Sequence, residues 1–333
     1  MRHLQHCVFS LCVVSLLFGL GRYQQQEGRA QPAAPQATAP NELGKIMILE
    51  YHKVQPEESR WGRSIENFRH DLELLYASGY RPIGMADFID GKISVPAGSR
   101  PFLLTFDDSS PGQFRYLIKD GKPEIDPDCA LGILLHFHQL HPDFERKGIF
   151  FVLPAADEPN RLFGQPEFEA RKIKELVSLG FEIGNHTLWH AQLSKYDANV
   201  VQQQIAMAVQ AIQKIIPGYP LRALDLPLGS YPKDPHLAVE GSYQGIAYHD
   251  DAVLLVAGGP APSPFSAGAD FAHLPRIQVT GAALQNWIGY FERHPAKGYV
   301  SDGDVEAAAF PRALLPAFNA SRFKSVRANP YRP

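Results

Sequence analysis

Cysteine is almost absent from this chain. There are three, and Cys7 and Cys12 both lie in an apolar stretch near the N-terminus, which leaves Cys129 alone in the body of the sequence. A single thiol cannot close an internal disulfide, so the fold must be held by its core. Cys129 sits in an apolar helical stretch and reads as a small buried hydrophobe, not as a reactive group. Net charge is equally sparse: 32 Lys and Arg against 35 Asp and Glu leave −3. Without a basic excess there is no electrostatic footprint for nucleic acid, and no such partner is expected. Long apolar runs are missing too. The one candidate, residues 7–20, is shorter than the ~20 residues a membrane-spanning helix needs. No internal repeat is present.

What is present begins with an export signal. Arg2 gives residues 1–21 a positive start before the apolar run, which reads as a signal peptide or an N-terminal anchor. Gly28-Arg29-Ala30 offers small residues for cleavage, an uncleaved anchor is the alternative, and no Cys stands where a lipoprotein would need one. The chain is therefore expected to be exported to the periplasm, cell envelope or exterior, with this segment its only route to membrane anchoring. Residues 22–44 are rich in Gln, Ala and Pro, cannot bury enough apolar surface to order themselves, and are expected to be a disordered linker. Residues 45–333, in a chain that is 45% hydrophobic, are expected to hold one large α/β domain.

Within it, strand-like and helix-like stretches alternate. Strands are expected at 46–52, 80–83, 102–106, 148–153, 181–184, 221–226, 245–248 and 253–256. Helices are expected after the caps Ser64 and Asp197, and over residues 130–144, 166–179 and 282–293. That order argues for parallel strands covered by helices, as an open sheet or a barrel, whose sites gather at the C-terminal strand ends. No element is assigned to residues 298–333.

Two stretches carry the chemistry. Thr105-Phe106-Asp107-Asp108 ends an apolar run in two adjacent carboxylates, and Asn185-His186-Thr187-Leu188-Trp189-His190 puts two imidazoles four positions apart after another strand. Two His and one Asp form a facial set that suits zinc with an open position for water, leaving the other Asp as a base. Asp108 is the expected third ligand beside His186 and His190. Either stretch alone also fits turn and cap chemistry. His52, at the end of the first strand, is placed to donate a proton to a leaving group. In Leu226-Pro227-Leu228-Gly229, backbone N–H groups of a tight turn can serve an oxyanion. Arg276, among apolar neighbours, needs a carboxylate, and Asp107 is the attractive one, because the pair would hold the base ionised.

These motifs make the chain resemble the NodB-homology polysaccharide deacetylases, carbohydrate esterase family four, over roughly residues 45–280. Thr105–Asp108 matches the first motif of that family, and His186-Thr187-Leu188-Trp189-His190 matches its His-[Ser/Thr]-x-x-His motif. The resemblance implies a distorted, incomplete (β/α) barrel. It implies a divalent metal, Zn²⁺ foremost and Co²⁺, Ni²⁺ or Mn²⁺ otherwise. The implied substrate is an N-acetylated polysaccharide or oligosaccharide such as poly-N-acetylglucosamine, peptidoglycan or a chitin-like polymer. By the same resemblance Asp107 is the base, and Asp108, His186 and His190 are the ligands. The third motif departs from Arg-x-Pro-aromatic-Gly: it reads Asp225-Leu226-Pro227-Leu228-Gly229, so the Arg and aromatic are missing, although the Leu228 N–H can still serve the oxyanion. The family's C-terminal Leu-x-Leu-x-His is absent, and Ile48-Leu49-Glu50-Tyr51-His52 looks like that strand moved to the front. That is the circularly permuted order of the poly-N-acetylglucosamine deacetylase branch, and it implies the acid role for His52 and the clamp on Asp107 for Arg276. Two other classes fit the same residues: a glycan-binding protein that no longer catalyses, and a metal-dependent esterase or amidohydrolase of small molecules.

Overall fold

A computed structural model describes residues 39–332. The expected export segment, residues 1–21, and most of the linker lie outside the described residues. The core is a ring of parallel strands: β1 (Met47–Tyr51), β3 (Arg100–Phe106), β4 (Ile149–Val152), β5 (Glu182–Asn185), β6 (Ala223–Asp225), β7 (Ala252–Gly258) and β8 (Leu274–Gln278), with β2 (Tyr80–Pro82) paired to the start of β3. β1 bonds to both β3 and β8, which closes the ring at seven strands. This is the incomplete (β/α) barrel, one strand short of eight. It is distorted where β5 and β6 share a single pair, Asn185 with Leu224, and where the β7–β8 register slips.

Side chains alternate along each strand. Met47, Leu49 and Tyr51 of β1, and Phe102, Leu104 and Phe106 of β3, join the outer core beneath the helices. α1 (Ile65–Ala77) brings Phe68, Leu72 and Leu75 to that core; Ser64 caps it by accepting from the Asn67 N–H, and Asp197 caps α5 (Ala198–Ile215) in the same way. The intervening helices are α2 (Met85–Asp90), α3 (Ala130–Leu140) and α4 (Glu169–Ser178), and α6 (Ala283–Arg293) follows β8. The other face of the strands points into the barrel. Ile46 and Ile48, Leu103, Ile149 and Phe151, Ala223, Leu254 and Leu274 fill the interior. Further along the same columns stand Glu50, Thr105 and then Asp107, Asp225 and Arg276, all buried. The barrel thus has apolar lower layers and a charged top layer, at the C-terminal ends of its strands.

The structure corrects the domain boundary. Residues 41–44 are ordered, not linker: Asn41 bonds to Val300, and the buried Glu42 carboxyl accepts from Tyr299 and from the Ala309 N–H. Burial pushes that carboxyl up to about 7, against the lowering effect of its hydrogen bonds. Its partners sit in the last 35 residues of the chain, so no local sequence pattern points to them. The unassigned C-terminal stretch folds onto the same pole: Ala307–Pro311 pairs with Arg327–Tyr331, and Tyr299, Phe310 and Phe323 join the inner core. Residues 246–249 do form a strand, but in a hairpin with Glu240–Tyr243 outside the barrel. A second hairpin, Tyr116–Lys119 with Lys122–Ile125, turns on Asp120-Gly121, a dipeptide that marks such turns.

Candidate active site

The charged top layer is assembled from five strand ends, those of β1, β3, β5, β6 and β8. Asp107 and Asp108 follow β3, and the chain reverses there with φ of 74° at Asp108 and 44° at Ser109. Asp107 is fixed from both sides: its N–H donates to the Tyr51 carbonyl, and the Gln113 amide donates to the Asp107 and His52 carbonyls. Beyond β5, Asn185 Oδ1 accepts from the Thr187 N–H and Thr187 Oγ1 accepts from the Ala191 N–H, winding the turn that carries both histidines. Thr187, His190 and Leu228 also adopt positive φ, at 68°, 69° and 59°. Five non-glycine residues in this region at one site cost about 1–3 kcal/mol each and mark a backbone shaped for function.

Asp108 Oδ1 lies 3.3 Å from His186 Nε2 and 3.4 Å from His190 Nε2. Nδ1 of His186 is taken by Asp225, 3.0 Å from its carbonyl and 3.1 Å from Oδ2. Its Nε2 is buried without a hydrogen-bond partner. An orphaned imidazole nitrogen facing a carboxylate and a second imidazole is a donor set that fits Zn²⁺ or a similar divalent ion, so the residues present fit the implied metal. Burial opposes charge on His186, but Asp225, Asp108 and Asp107 outweigh it and push the imidazole up to about 9. Burial and the neighbouring His186 push His190 down to about 4. Near neutral pH, then, one of the two ligand histidines must lose a proton to bind metal. Titrating the metal-free protein with Zn²⁺ at pH 7 is expected to release close to one proton, and affinity is expected to rise about tenfold per pH unit until about pH 9. Calorimetry in buffers of different ionisation heat measures both; a proton count near zero would contradict the arrangement.

Arg276 is wholly buried and is the hub of the layer. It grips Asp107 with two parallel bonds of 2.8 and 2.9 Å, donates to Asp225 Oδ1 at 2.6 Å, to Thr105 Oγ1 at 3.0 Å, and through Nε to the Leu255 carbonyl at 2.7 Å. Burial works against charge on Asp107, but Arg276, His52 and His186 outweigh it and hold the carboxyl well below the usual range. Glu50 Oε2 also lies 3.1 Å from Arg276. Burial, reinforced by Asp107, pushes Glu50 up to about 8 despite the arginine, so this contact carries less charge than the one to Asp107.

His52 spans the gap between Glu50 and Asp107. Nδ1 is 3.5 Å from Glu50 Oε1 and Nε2 is 4.0 Å from Asp107 Oδ2. Burial lowers its pKa, in part offset by Asp107 and Asp108. With Nδ1 toward Glu50, Nε2 is the ring nitrogen on the Asp107 side of the site. Trp61 packs against the ring at a tilt of 50°, 4.9 Å between centroids, and is 39% exposed at the rim. The Leu228 side chain also stands at the rim, while the Gly229 and Ser230 N–H groups bond back to Leu226 and Pro227. A cavity of about 420 Å³ opens over His52, Asp107, Asp108, His186 and His190. A larger one of about 760 Å³, bounded by Lys53, Ser110 and Asn160, shares Asp108 and His190 with it.

All seven residues singled out from the sequence meet here. Glu50, Trp61 and Asp225 were missed as site residues. Glu50 and Asp225 each had a faint signal, a carboxylate interrupting an apolar strand one step below its end.

A family model described as polysaccharide deacetylase matches residues 143–242. Solved structures with a similar fold include the Streptococcus pyogenes deacetylase PplD in complex with acetate, at 17% identity and TM-score 0.55, covering 74% of this chain and 97% of that one. A polysaccharide deacetylase from Bacillus cereus matches at 17% identity and TM-score 0.54, covering 74% and 68%. A de-N-acetylase from Aggregatibacter actinomycetemcomitans matches at 14% and 0.50, covering 73% and 99%. At these identities the likeness to solved structures is one of fold.

Proposed function

We propose that this chain, a relative of the polysaccharide deacetylases by motif, family match and fold, hydrolyses N-acetyl groups of an exported or cell-envelope glycan to acetate and free amine. The observation that carries this reading is the Asp108–His186–His190 set with the Arg276-bound Asp107 beside it at the mouth of the barrel. A divalent cation held by those three residues, Zn²⁺ by the nature of the donors, supplies a Lewis acid for the acyl oxygen and a water of lowered pKa. Asp107, kept ionised by Arg276, accepts the proton of the attacking water. The backbone N–H of Leu228, a residue that lines the cavity, is the proposed donor to the oxygen that becomes negative. His52, in its imidazolium form, gives its Nε2 proton to the departing nitrogen and returns to the neutral ring.

The missing third-motif arginine would favour a glycan-binding protein without activity. Arg276 offsets that loss, because it reaches the same carboxylate from β8. The open cavities and the exposed Trp61 support a glycan over a small ester or amide. Trp61→Ala is expected to raise KM for an N-acetylglucosamine oligomer about tenfold, or ~1.4 kcal/mol, by removing an aromatic face for a sugar ring. Unchanged KM would place the glycan elsewhere. Export rests on residues 1–21, which read as a signal or anchor.

The test is acetate release from N-acetylglucosamine oligomers by the purified protein, with metal content measured on the same sample. Release that is lost with chelator and restored by Zn²⁺ supports the reading. Bound metal without release, from these or O-acetylated glycans, would move the assignment to a binding protein.

A further inference from the structure

We infer that Asp225 is a positioning residue that joins the metal ligand His186 to the base-holding Arg276 through its two carboxylate oxygens. It stands where the related family's third motif carries an arginine, so the role belongs to this chain's own departure from the pattern. Oδ1 accepts from Arg276 Nη2 at 2.6 Å, and Oδ2 lies 3.1 Å from His186 Nδ1. Both neighbours are donors: a guanidinium has no acceptor, and His186 must keep its proton on Nδ1 for Nε2 to bind a metal. A side chain between two donors needs two acceptor oxygens, which only a carboxylate supplies. Asp225 is wholly buried, so bulk solvent does not reach either contact.

The backbone fixes the arrangement. Asp225 ends β6, whose Leu224 pairs with Asn185 of β5, directly before His186. The same residue's carbonyl accepts from His186 Nδ1, so the main chain takes the hydrogen bond, and Oδ2, which has no hydrogen bond of its own, adds its charge beside the imidazole at 3.1 Å. An arginine at position 225 would put a second buried cation against Arg276 and a donor against a donor at His186. Arg276 on β8 and a carboxylate at position 225 are therefore mutually compatible where an arginine at 225 is not.

This inference rests on Asp108, His186 and His190 being the metal set. The test is the affinity of the full chain for Zn²⁺, read by competition with a chromophoric chelator, in wild type, Asp225→Asn and Thr105→Val. Asparagine offers one oxygen, so its amide group must face either Arg276 or the His186 proton. Asp225→Asn is expected to weaken Zn²⁺ binding 10–100-fold. Thr105→Val, which removes a different Arg276 contact, is expected to leave affinity within about twofold. Wild-type affinity in Asp225→Asn overturns the inference alone; no Zn²⁺ binding by wild type overturns the metal set and this inference with it. Where Asp225→Asn does not fold, the metal-loaded wild type decides: ¹¹³Cd–¹⁵N coupling to His186 Nε2 with a proton on Nδ1 is expected, and metal on Nδ1 overturns it.

Discussion

Asp107→Asn is expected to lower kcat by 10²–10⁴, with metal still bound. That span is what a positioned general base contributes. An amide has nearly the shape of the carboxylate but cannot take the proton of the attacking water. Asp107 does not belong to the Asp108–His186–His190 set, so the metal content of the variant should match wild type. Arg276 keeps Asp225, Thr105 and the Leu255 carbonyl, which should hold its guanidinium in place. Single-turnover acetate release beside metal analysis is the measurement. A variant that retained more than about a tenth of wild-type activity would show that the base lies elsewhere. One that lost its metal would show that Asp107 is a ligand.

The largest effect on stability is expected from Arg276→Met, a loss of about 3–5 kcal/mol. Removing one partner of a buried charge cluster leaves the rest uncompensated. Here Asp107 and Asp225 lose their only guanidinium, and Glu50 its nearest cation. The pH dependence has a definite sign. In wild type the folded-state pKa of Asp107 is depressed, so it contributes stability above the ordinary carboxylate range that is lost as pH falls. Without Arg276, burial dominates and the folded-state pKa rises above the unfolded value. The variant should then be closest to wild type below about pH 4 and fall further behind as pH rises. Urea unfolding at several pH values measures the gap; a gap that stayed constant would mean that Arg276 acts mainly by packing.

The site was legible where its chemistry is local. Two adjacent carboxylates after a strand, and two imidazoles four apart after another, place ligands by spacing alone, because a strand end and a tight turn are set by their own residues. Ser64 and Asp197 announced their helices for the same reason. The Asp120-Gly121 turn was equally local and was overlooked. β8 was hidden by Pro275, which reads as a break within a central strand although it tolerates this distorted pairing.

What the sequence determined by itself is therefore the β-then-α order and the two motifs that supply the candidate metal set and the proposed base, each written within a few consecutive residues. Only the tertiary structure decided who faces whom. Arg276 meets Asp107 across 169 positions and Asp225 across 51, and Glu50 joins them because β1 lies between β3 and β8. No local rule links these residues. Closing the ring turns one column of each strand inward, and at the top of those columns three carboxylates are left around one guanidinium with no water to share. Burial and the arginine then set their charges against each other: burial raises Glu50 and Asp225, while Asp107, gripped by both arms of the arginine, is driven to lose its proton.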